Sequence, residues 1–283
     1  MYCVLILIAS LLGGWVPSLL RLTHRRMELL ISLVSGVMLG VALLHLLPHA
    51  WLQRAAWLAG QGRPEVSHEL IGPVVLWLLA GFLVMFFVER FFCFHHHDVP
   101  DSNDGRHSGH GHELTWTGAA VGLTLHSLVA GVALAASVPL TDGGATAGAA
   151  GLGTFLAIFL HKPFDSMTLG TVMVVGRRSP AARHVVNGLF ALVVPLGVVL
   201  FVVTAGRAAQ EHPRLVSSAL AFSAGTFLCI SLSDLLPELQ FHRHDRVKLS
   251  LALLLGLAIA WGAQRLEAAV DDVPHRSVDS SPL

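Results

Sequence analysis

The chain has 283 residues, of which 54% are hydrophobic and 13% are charged, and Lys plus Arg (18) balance Asp plus Glu (18). Because a soluble domain carries roughly 25% charged residues, this composition excludes an ordinary soluble globular protein, and the high hydrophobicity excludes a disordered one. The lack of a basic excess argues against a nucleic-acid partner, and Cys3, Cys93 and Cys229 imply no disulfide framework.

Apolar stretches of the roughly 20 residues needed to cross a bilayer occur eight times. They lie at about 2–20, 28–50, 70–92, 114–138, 147–174, 185–206, 215–238 and 247–264. The first has no basic segment before it, which favours a span over a signal peptide. The eighth closes at the polar residues Gln264, Arg265 and Glu267. We predict an all-α polytopic membrane protein, with a single transmembrane domain over residues 1–283 in a lipid bilayer.

Basic residues are distributed unevenly between the two sets of loops. The loops after spans 1, 3, 5 and 7 hold eleven, the other loops and the C-terminal tail hold six, and Lys162 lies inside a span. Because Lys and Arg accumulate in cytoplasmic loops, we expect both termini outside the cytoplasm. The short loops suggest a bacterial inner membrane.

Spans 2 and 7 share a sequence pattern. GVMLGVALLHLLP (36–48) and GTFLCISLSDLLP (225–237) align without gaps, with one polar residue before Leu-Leu-Pro and another directly after it. These polar residues are His45 and His49 in span 2, and Asp234 and Glu238 in span 7. The two spans cross in opposite directions, as in the inverted repeats of secondary transporters. We predict a 3+2+3 arrangement, in which spans 1–3 relate to spans 6–8; chance similarity of leucine-rich helices is the alternative.

The two central spans carry polar side chains near their middles. Span 4 has His126, and span 5 has His161 and Asp165, which are four residues apart and so share one helix face. A charge at mid-bilayer costs at least about 2.5–3.5 kcal/mol, so Asp165 needs a cation. That cation is either Lys162 or a divalent metal bound by the histidines as well. A structural network that pins span 5 to span 4 is the alternative.

By this topology the polar residues form a ladder in depth. From the outer to the inner end its members are His45 and His49, then His126, His161 and Asp165, then Asp234 and Glu238. Imidazole and carboxylate ligands suit Zn²⁺ and, less selectively, Fe²⁺ or Mn²⁺. Met38 lies at a depth similar to the central residues, either as a packing residue or as a thioether ligand. In each of these spans a proline lies between two of the polar residues: Pro48 in span 2, Pro163 in span 5 and Pro237 in span 7. Each proline removes a helix hydrogen bond and is expected to open the backbone locally.

The longest predicted cytoplasmic loop, about residues 93–113, is rich in histidine. Its histidines, set among Gly, Ser and Asp, are His95, His96, His97, His107, His110 and His112. Such a tract can hold metal loosely, and a solvated linker is the alternative.

The motifs of spans 2, 4, 5 and 7 resemble those of the ZIP (Zrt/Irt-like) family of divalent-metal transporters, over nearly the whole chain. The family's span-4 pattern His-Asn-x-x-Glu-Gly is similar to HSLVAG from His126. Its span-5 pattern, His-Asn-x-Pro-Glu-Gly or a His-Lys variant, is similar to HKPFDS from His161. The segments HLLPHA in span 2 and DLLPEL in span 7 also resemble sequences of this family. The resemblance implies eight spans, outward termini, alternating access and no enzymatic activity.

The chain departs from the family pattern in its central spans. Ala130 stands where the family often has a glutamate ligand, and Ser127 and Lys162 stand where some members have residues that help a second metal. Span 6 supplies no carboxylate. We therefore expect a mononuclear site, in which the Lys162 ammonium takes the place of a second cation.

The predicted function is uptake of divalent metal ions, with Zn²⁺ as the transported ion, into the cytoplasm. Two alternatives from other classes stay open: an intramembrane zinc-dependent lipid hydrolase with an activated water, and a metal sensor that binds without transport. A pigment attached through Lys162 is a further alternative. The metal ion and the bilayer are the expected partners, and a homodimer stays open.

Overall fold

The computed structural model describes residues 1–19, 24–62, 68–92, 116–138, 151–211, 213–241 and 246–271, and within these ranges the chain is helical and has no strand. The helices are α1 (Tyr2–Leu19), α2 (His24–Gly40), a π-helix (Val41–Leu46), α3 (Leu47–Ala59), α4 (His68–Phe92), α5 (Trp116–Ser137), α6 (Leu152–Val175), α7 (Pro180–Ala191), α8 (Val193–Glu211), α9 (Pro213–Phe241) and α10 (Arg246–Asp271). The all-α prediction is confirmed for this part of the chain.

Six segments in the described ranges are long and apolar enough to cross a membrane. They are Glu28–Ala59, His68–Val88, Ala120–Ser137, Pro180–Thr204, Pro213–Leu232 and Arg246–Ala269. Helix α1 offers a shorter apolar stretch, Tyr2–Trp15. Helix α6 is continuous, but the charged residues Lys162 and Asp165 interrupt its apolar sequence. Helices that are able to cross a membrane are therefore found at six of the eight predicted positions, and the first and fifth spans stay predictions.

Large apolar side chains cover the outer faces of several helices. Leu76 on α4, Val203 on α8 and Leu254 on α10 are 65%, 77% and 57% exposed. A water-soluble monomer rarely leaves so much apolar surface open. These faces suit contact with lipid, which agrees with the composition.

The helices pack mainly in four pairs: α2 with α10, α4 with α9, α1 with α6, and α5 with α8. In the first pair Gly36 lies against the carbonyl oxygen of Leu253, and in the second Gly225 lies against that of Leu78, with no room for a Cβ at either glycine. Small residues allow helix backbones in a membrane to approach this closely. Gly36 and Gly225 are also the first residues of the two aligned segments, so the related segments pack in corresponding ways.

The other two helix pairs show the same correspondence. Gly13 of α1 lies against the carbonyl oxygen of Pro163 in α6, and Gly197 of α8 lies against that of Leu128 in α5. Each carbonyl belongs to the second residue after the central histidine of its helix. The two glycine contacts therefore lie at the same sequence distance from His126 and from His161.

The predicted proline distortion takes the form of a π-helix in span 2. The π-helix Val41–Leu46 ends directly before α3, whose second residue is Pro48. Proline has no N–H, and its ring displaces the carbonyl four residues earlier, which a wider π turn accommodates. In span 5, α6 is one continuous α-helix through Pro163, without a π-helical turn, and the local opening of the backbone there stays a prediction.

The main hydrophobic core includes side chains from α2, α5, α6 and α9. Met38 is 1% exposed and belongs to this core with Val37 and Val41. The structure thus places Met38 in the packing of α2, and its role as a metal ligand stays a prediction.

Candidate metal centre

Helices α5 and α6 bring His126, His161 and Asp165 together, as the sequence predicted. The two Nε2 atoms of the histidines lie 3.3 Å apart. The Oδ2 atom of Asp165 lies 3.7 Å from His161 Nε2 and 3.9 Å from His126 Nε2. Three donor atoms of the types that bind zinc therefore form a compact triangle between the two helices.

The size of this triangle matches the demands of a zinc ion. With Zn–N bonds of about 2.0–2.1 Å, a tetrahedral ion holds neighbouring donor atoms about 3.4 Å apart. The observed separations of 3.3, 3.7 and 3.9 Å lie within about 0.5 Å of that value. Small side-chain movements would suffice to bind an ion through three protein ligands, which leaves a fourth position for water or a departing ligand.

Hydrogen bonding prepares His161 to act as a ligand. Its Nδ1–H donates to the carbonyl oxygen of Ala157 over 2.6 Å. This bond fixes the tautomer in which Nε2 carries the lone pair and faces the triangle, the usual arrangement for a metal-binding histidine. His161 is 3% exposed and His126 is 2% exposed, so both rings are held away from solvent.

Among the described residues, no donor lies within hydrogen-bond distance of the buried Oδ2 atom of Asp165. Buried polar atoms are nearly always hydrogen-bonded, and a carboxylate oxygen that lacks such a bond and faces two imidazole nitrogens could bind a metal cation.

Lys162 supplies a fixed positive charge beside this triangle. Its side chain is 1% exposed, its ammonium donates to the hydroxyl of Ser127, and its Nζ lies 3.9 Å from Asp165 Oδ2. The ammonium also lies 3.6 Å from the centre of the Phe190 ring, a favourable cation–π position. The two cations predicted for Asp165, an ammonium and a metal, can therefore both be close to it.

Phe227, which the sequence did not single out, lines one side of the centre. The ring of Phe227 in α9 lies 6.3 Å from that of His126 and 6.0 Å from that of His161, and Phe227 is fully buried. The alignment of the two repeated segments pairs Phe227 with Met38, and this correspondence was the signal that could have found it.

A second cluster forms where His45 and His49 meet the last helix. Metal-binding atoms of these histidines and of Glu267 all lie within 4.8 Å of one another. The structure thus confirms that the two histidines are neighbours and adds Glu267 from α10. Sequence reasoning missed Glu267 because in the sequence it marks only the polar end of the eighth span.

Two further predictions fall outside what the structure describes. The side chains of Asp234 and Glu238 lie outside the described side chains, although α9 includes their backbone. The histidine-rich loop at residues 93–113 lies outside the described residues. Both stay predictions.

Comparison with known proteins agrees with this chemistry. The profile of the family described as ZIP zinc transporter matches residues 1–120 and 95–262. Zinc transporter ZIP9 of Micropogonias undulatus is 25% identical over 275 residues, which cover 86% of this chain and 85% of that protein. Zinc transporter ZIP9-B of Xenopus laevis is 26% identical over 288 residues, covering 92% and 89%. Zinc transporter ZIP13 of Pongo abelii is 28% identical over 214 residues, covering 74% and 58%. The chain belongs to the ZIP zinc transporter family.

Proposed function

We propose that the chain transports divalent metal ions across the membrane, with Zn²⁺ as its main substrate, and binds each ion at His126, His161 and Asp165. The observation that carries this proposal is the donor triangle, with sides of 3.3 to 3.9 Å, between two central helices. Membership of the ZIP family supports the same function. Fe²⁺ and Mn²⁺ accept the same ligand types with less selectivity, so they are candidate secondary substrates.

Lys162 supports a site for one ion at a time. In the absence of metal, its ammonium is a cation 3.9 Å from Asp165 Oδ2 and limits the cost of a buried carboxylate. When a metal ion binds, Asp165 exchanges part of that interaction for a metal bond. The ammonium stays hydrogen-bonded to Ser127 and repels a second ion. We therefore propose a mononuclear centre.

We infer the orientation of the chain from the distribution of basic residues, and on that orientation we propose uptake into the cytoplasm. Eleven Lys and Arg residues in one set of loops against six in the other favour cytoplasmic placement of the first set, with both termini outside. On this topology the ion enters past His45 and His49 and leaves past Asp234 and Glu238. Met38 is a further proposed ligand, and the histidine-rich loop receives the released ion. The relatives compared above are eukaryotic and give no support to the expected bacterial inner membrane.

The helix pairing supports alternating access by an inverted repeat. The contact of Gly36 with Leu253 corresponds to that of Gly225 with Leu78, as two repeats related by an axis in the membrane plane require. We propose that spans 1–3 and 6–8 flank the central pair in a 3+2+3 arrangement. Relative movement of the repeats would then expose the central site to each side in turn. Because ligands bind metal only when deprotonated, protons compete with the ion at this site.

Uptake of radioactive zinc into liposomes tests this function. We expect His161→Ala and Asp165→Ala to reduce uptake to the level of empty liposomes, because each removes one corner of the triangle. His184→Ala is the matched control, since His184 is an exposed histidine on α7, and it should transport like the unchanged protein. Normal uptake by both central variants, at equal protein content, would refute the site.

The two alternatives are separable from transport by measurement. The named relatives are zinc transporters, which favours transport over lipid hydrolysis. Hydrolysis of a lipid amide or ester by the purified protein would reverse this ranking. A sensor would bind Zn²⁺ without flux, and the liposome assay distinguishes it directly.

A further inference from the structure

The end of the bundle where α6 begins holds a second group of metal-binding side chains. His45 Nδ1 lies 3.5 Å from Glu267 Oε2, and the centres of the His45 and His49 rings are 4.5 Å apart. The three residues come from the π-helix, from α3 and from α10. The group therefore lies between the second span and the last helix. All three side chains are of types that bind metal ions.

The ring of His45 has no hydrogen bond within the described part of the chain. This side chain is 1% exposed, and neither ring nitrogen has a hydrogen-bond partner there. A buried imidazole is almost always hydrogen-bonded, so Nδ1, which faces Glu267, is available to bind an ion. His49 is in the opposite condition: its Nδ1–H donates to the His45 carbonyl oxygen over 2.8 Å, which leaves the Nε2 lone pair available for a metal.

One oxygen of the Glu267 carboxylate accepts a hydrogen bond, and the other oxygen faces His45. Glu267 is 4% exposed, and its Oε1 accepts a 2.8 Å hydrogen bond from the backbone N–H of Gly151. Gly151 precedes α6 with a φ of +71°, a conformation that favours glycine. The second oxygen, Oε2, is the one that faces His45. This anchoring fixes the carboxylate relative to the helix that carries His161 and Asp165.

We propose that His45, His49 and Glu267 form a second divalent-cation site, separate from the central one, which takes up the ion before it reaches His161. Two imidazoles and one carboxylate are the ligand set of open zinc sites, in which the fourth position stays exchangeable. An exchangeable position suits a site that must pass its ion on. The binding of an ion by these three residues does not depend on the proposed function. The place of this site on the transport path does depend on it.

The two sites are too far apart to share one ion. A Cβ at Gly153 would lie 3.2 Å from the His45 ring, so this ring packs against the first turn of α6. His161 lies roughly two turns further along the same helix, about 12 Å at 1.5 Å per residue. The sites therefore bind separate ions, and transfer between them follows α6.

Zinc binding to the full-length protein in detergent tests the inference. After removal of metal by a chelator, equilibrium dialysis against Zn²⁺ gives the number of ions bound per chain. Glu267→Gln should bind one ion fewer than the unchanged protein, because the amide keeps an oxygen for the Gly151 N–H but loses the charge that binds the metal. Glu69→Gln is the matched control, since Glu69 is an exposed glutamate at the start of α4, and it should bind as many ions as the unchanged protein. The combined variant His161→Ala and Asp165→Asn should also bind one ion fewer.

The variants distinguish failure of this inference from failure of the proposed function. If Glu267→Gln binds as many ions as the unchanged protein, the second site is refuted, even when the central variant loses its ion. If the central variant binds as many ions as the unchanged protein, the proposed transport site fails instead. His49→Ala replaces Glu267→Gln if that variant does not accumulate, and an unchanged number of bound ions in His49→Ala would overturn the inference in the same way.

Discussion

His126 of α5 and His161 of α6 face each other with their Nε2 atoms 3.3 Å apart. The residues that follow them differ: Ser127 in α5 and Lys162 in α6. Only α6 adds a carboxylate one turn later, at Asp165. The site thus combines a pair of imidazoles with a single acid and a single ammonium. This asymmetry suits one doubly charged ion.

Replacement of Lys162 by glutamine should tighten zinc binding and slow release. At about 4 Å, opposite unit charges interact by about 4 kcal/mol at an effective dielectric constant of 20, so removal of the ammonium leaves Asp165 to the metal alone. We expect the KM for zinc uptake to fall at least about tenfold and the maximal rate to fall with it. Lys248→Gln, at an exposed lysine of α10, should change neither. A higher KM in Lys162→Gln would contradict the role given to this ammonium.

Loss of the Phe227 ring should open the central site to water. Phe227→Ala removes a buried aromatic side chain, which costs about 3–5 kcal/mol of unfolding free energy, and it leaves the two imidazoles hydrated. We expect weaker zinc binding together with a lower melting temperature in detergent. Phe227→Met nearly conserves volume, costs less than about 1.5 kcal/mol, and should bind zinc normally. If Phe227→Ala binds zinc as tightly as Phe227→Met, the ring has no part in shielding the site.

The glycines of the two helix pairs should be equally sensitive to substitution. Gly36→Ala and Gly225→Ala each force a methyl group against a backbone carbonyl, and overpacking of this kind costs about 1–3 kcal/mol. Similar falls in melting temperature are therefore expected for both. Gly262→Ala is the control, because nothing lies within 4 Å of a Cβ at that position. A large loss for only one of the pair would weaken the correspondence between the segments.

Glu267→Gln should separate capture from turnover. With the second site weakened, uptake at low zinc concentration is expected to fall several-fold, while the rate at saturating zinc stays close to normal because the central triangle is intact. Liposome uptake over a range of zinc concentrations measures both quantities. A lower maximal rate with unchanged KM would show that Glu267 acts on the conformational step rather than on capture.

The proximity of the central residues could be predicted from the sequence because polar residues are rare in membrane-spanning segments and stand out there. His161 and Asp165 share a helix face by their spacing alone, and a histidine at the middle of a neighbouring span is a natural partner. The helices were predictable for a related reason, since a helix that crosses a bilayer requires a long apolar stretch. Local pattern and the cost of buried charge therefore carried this part of the prediction.

The remaining features depend on contacts between distant parts of the chain. Glu267 becomes a ligand candidate only because α10 packs along α2, and no spacing rule links it to His45. Phe227 reaches the two histidines through the packing of α9 against α5. The continuity of α6 through Pro163 likewise depends on its neighbours, because a proline alone indicates where a helix can open and not whether it does.

Anomalous X-ray diffraction at the zinc absorption edge, from crystals of the zinc-loaded protein, tests the central claim most directly. We predict one zinc peak in the central site, bonded to Nε2 of His126 and His161 and to Oδ2 of Asp165 at about 2.0–2.2 Å. Two peaks within that site would contradict the single-ion centre. A structure of the zinc-loaded protein with no peak between these three side chains, or with the side chains turned away from one another, would contradict the claim itself.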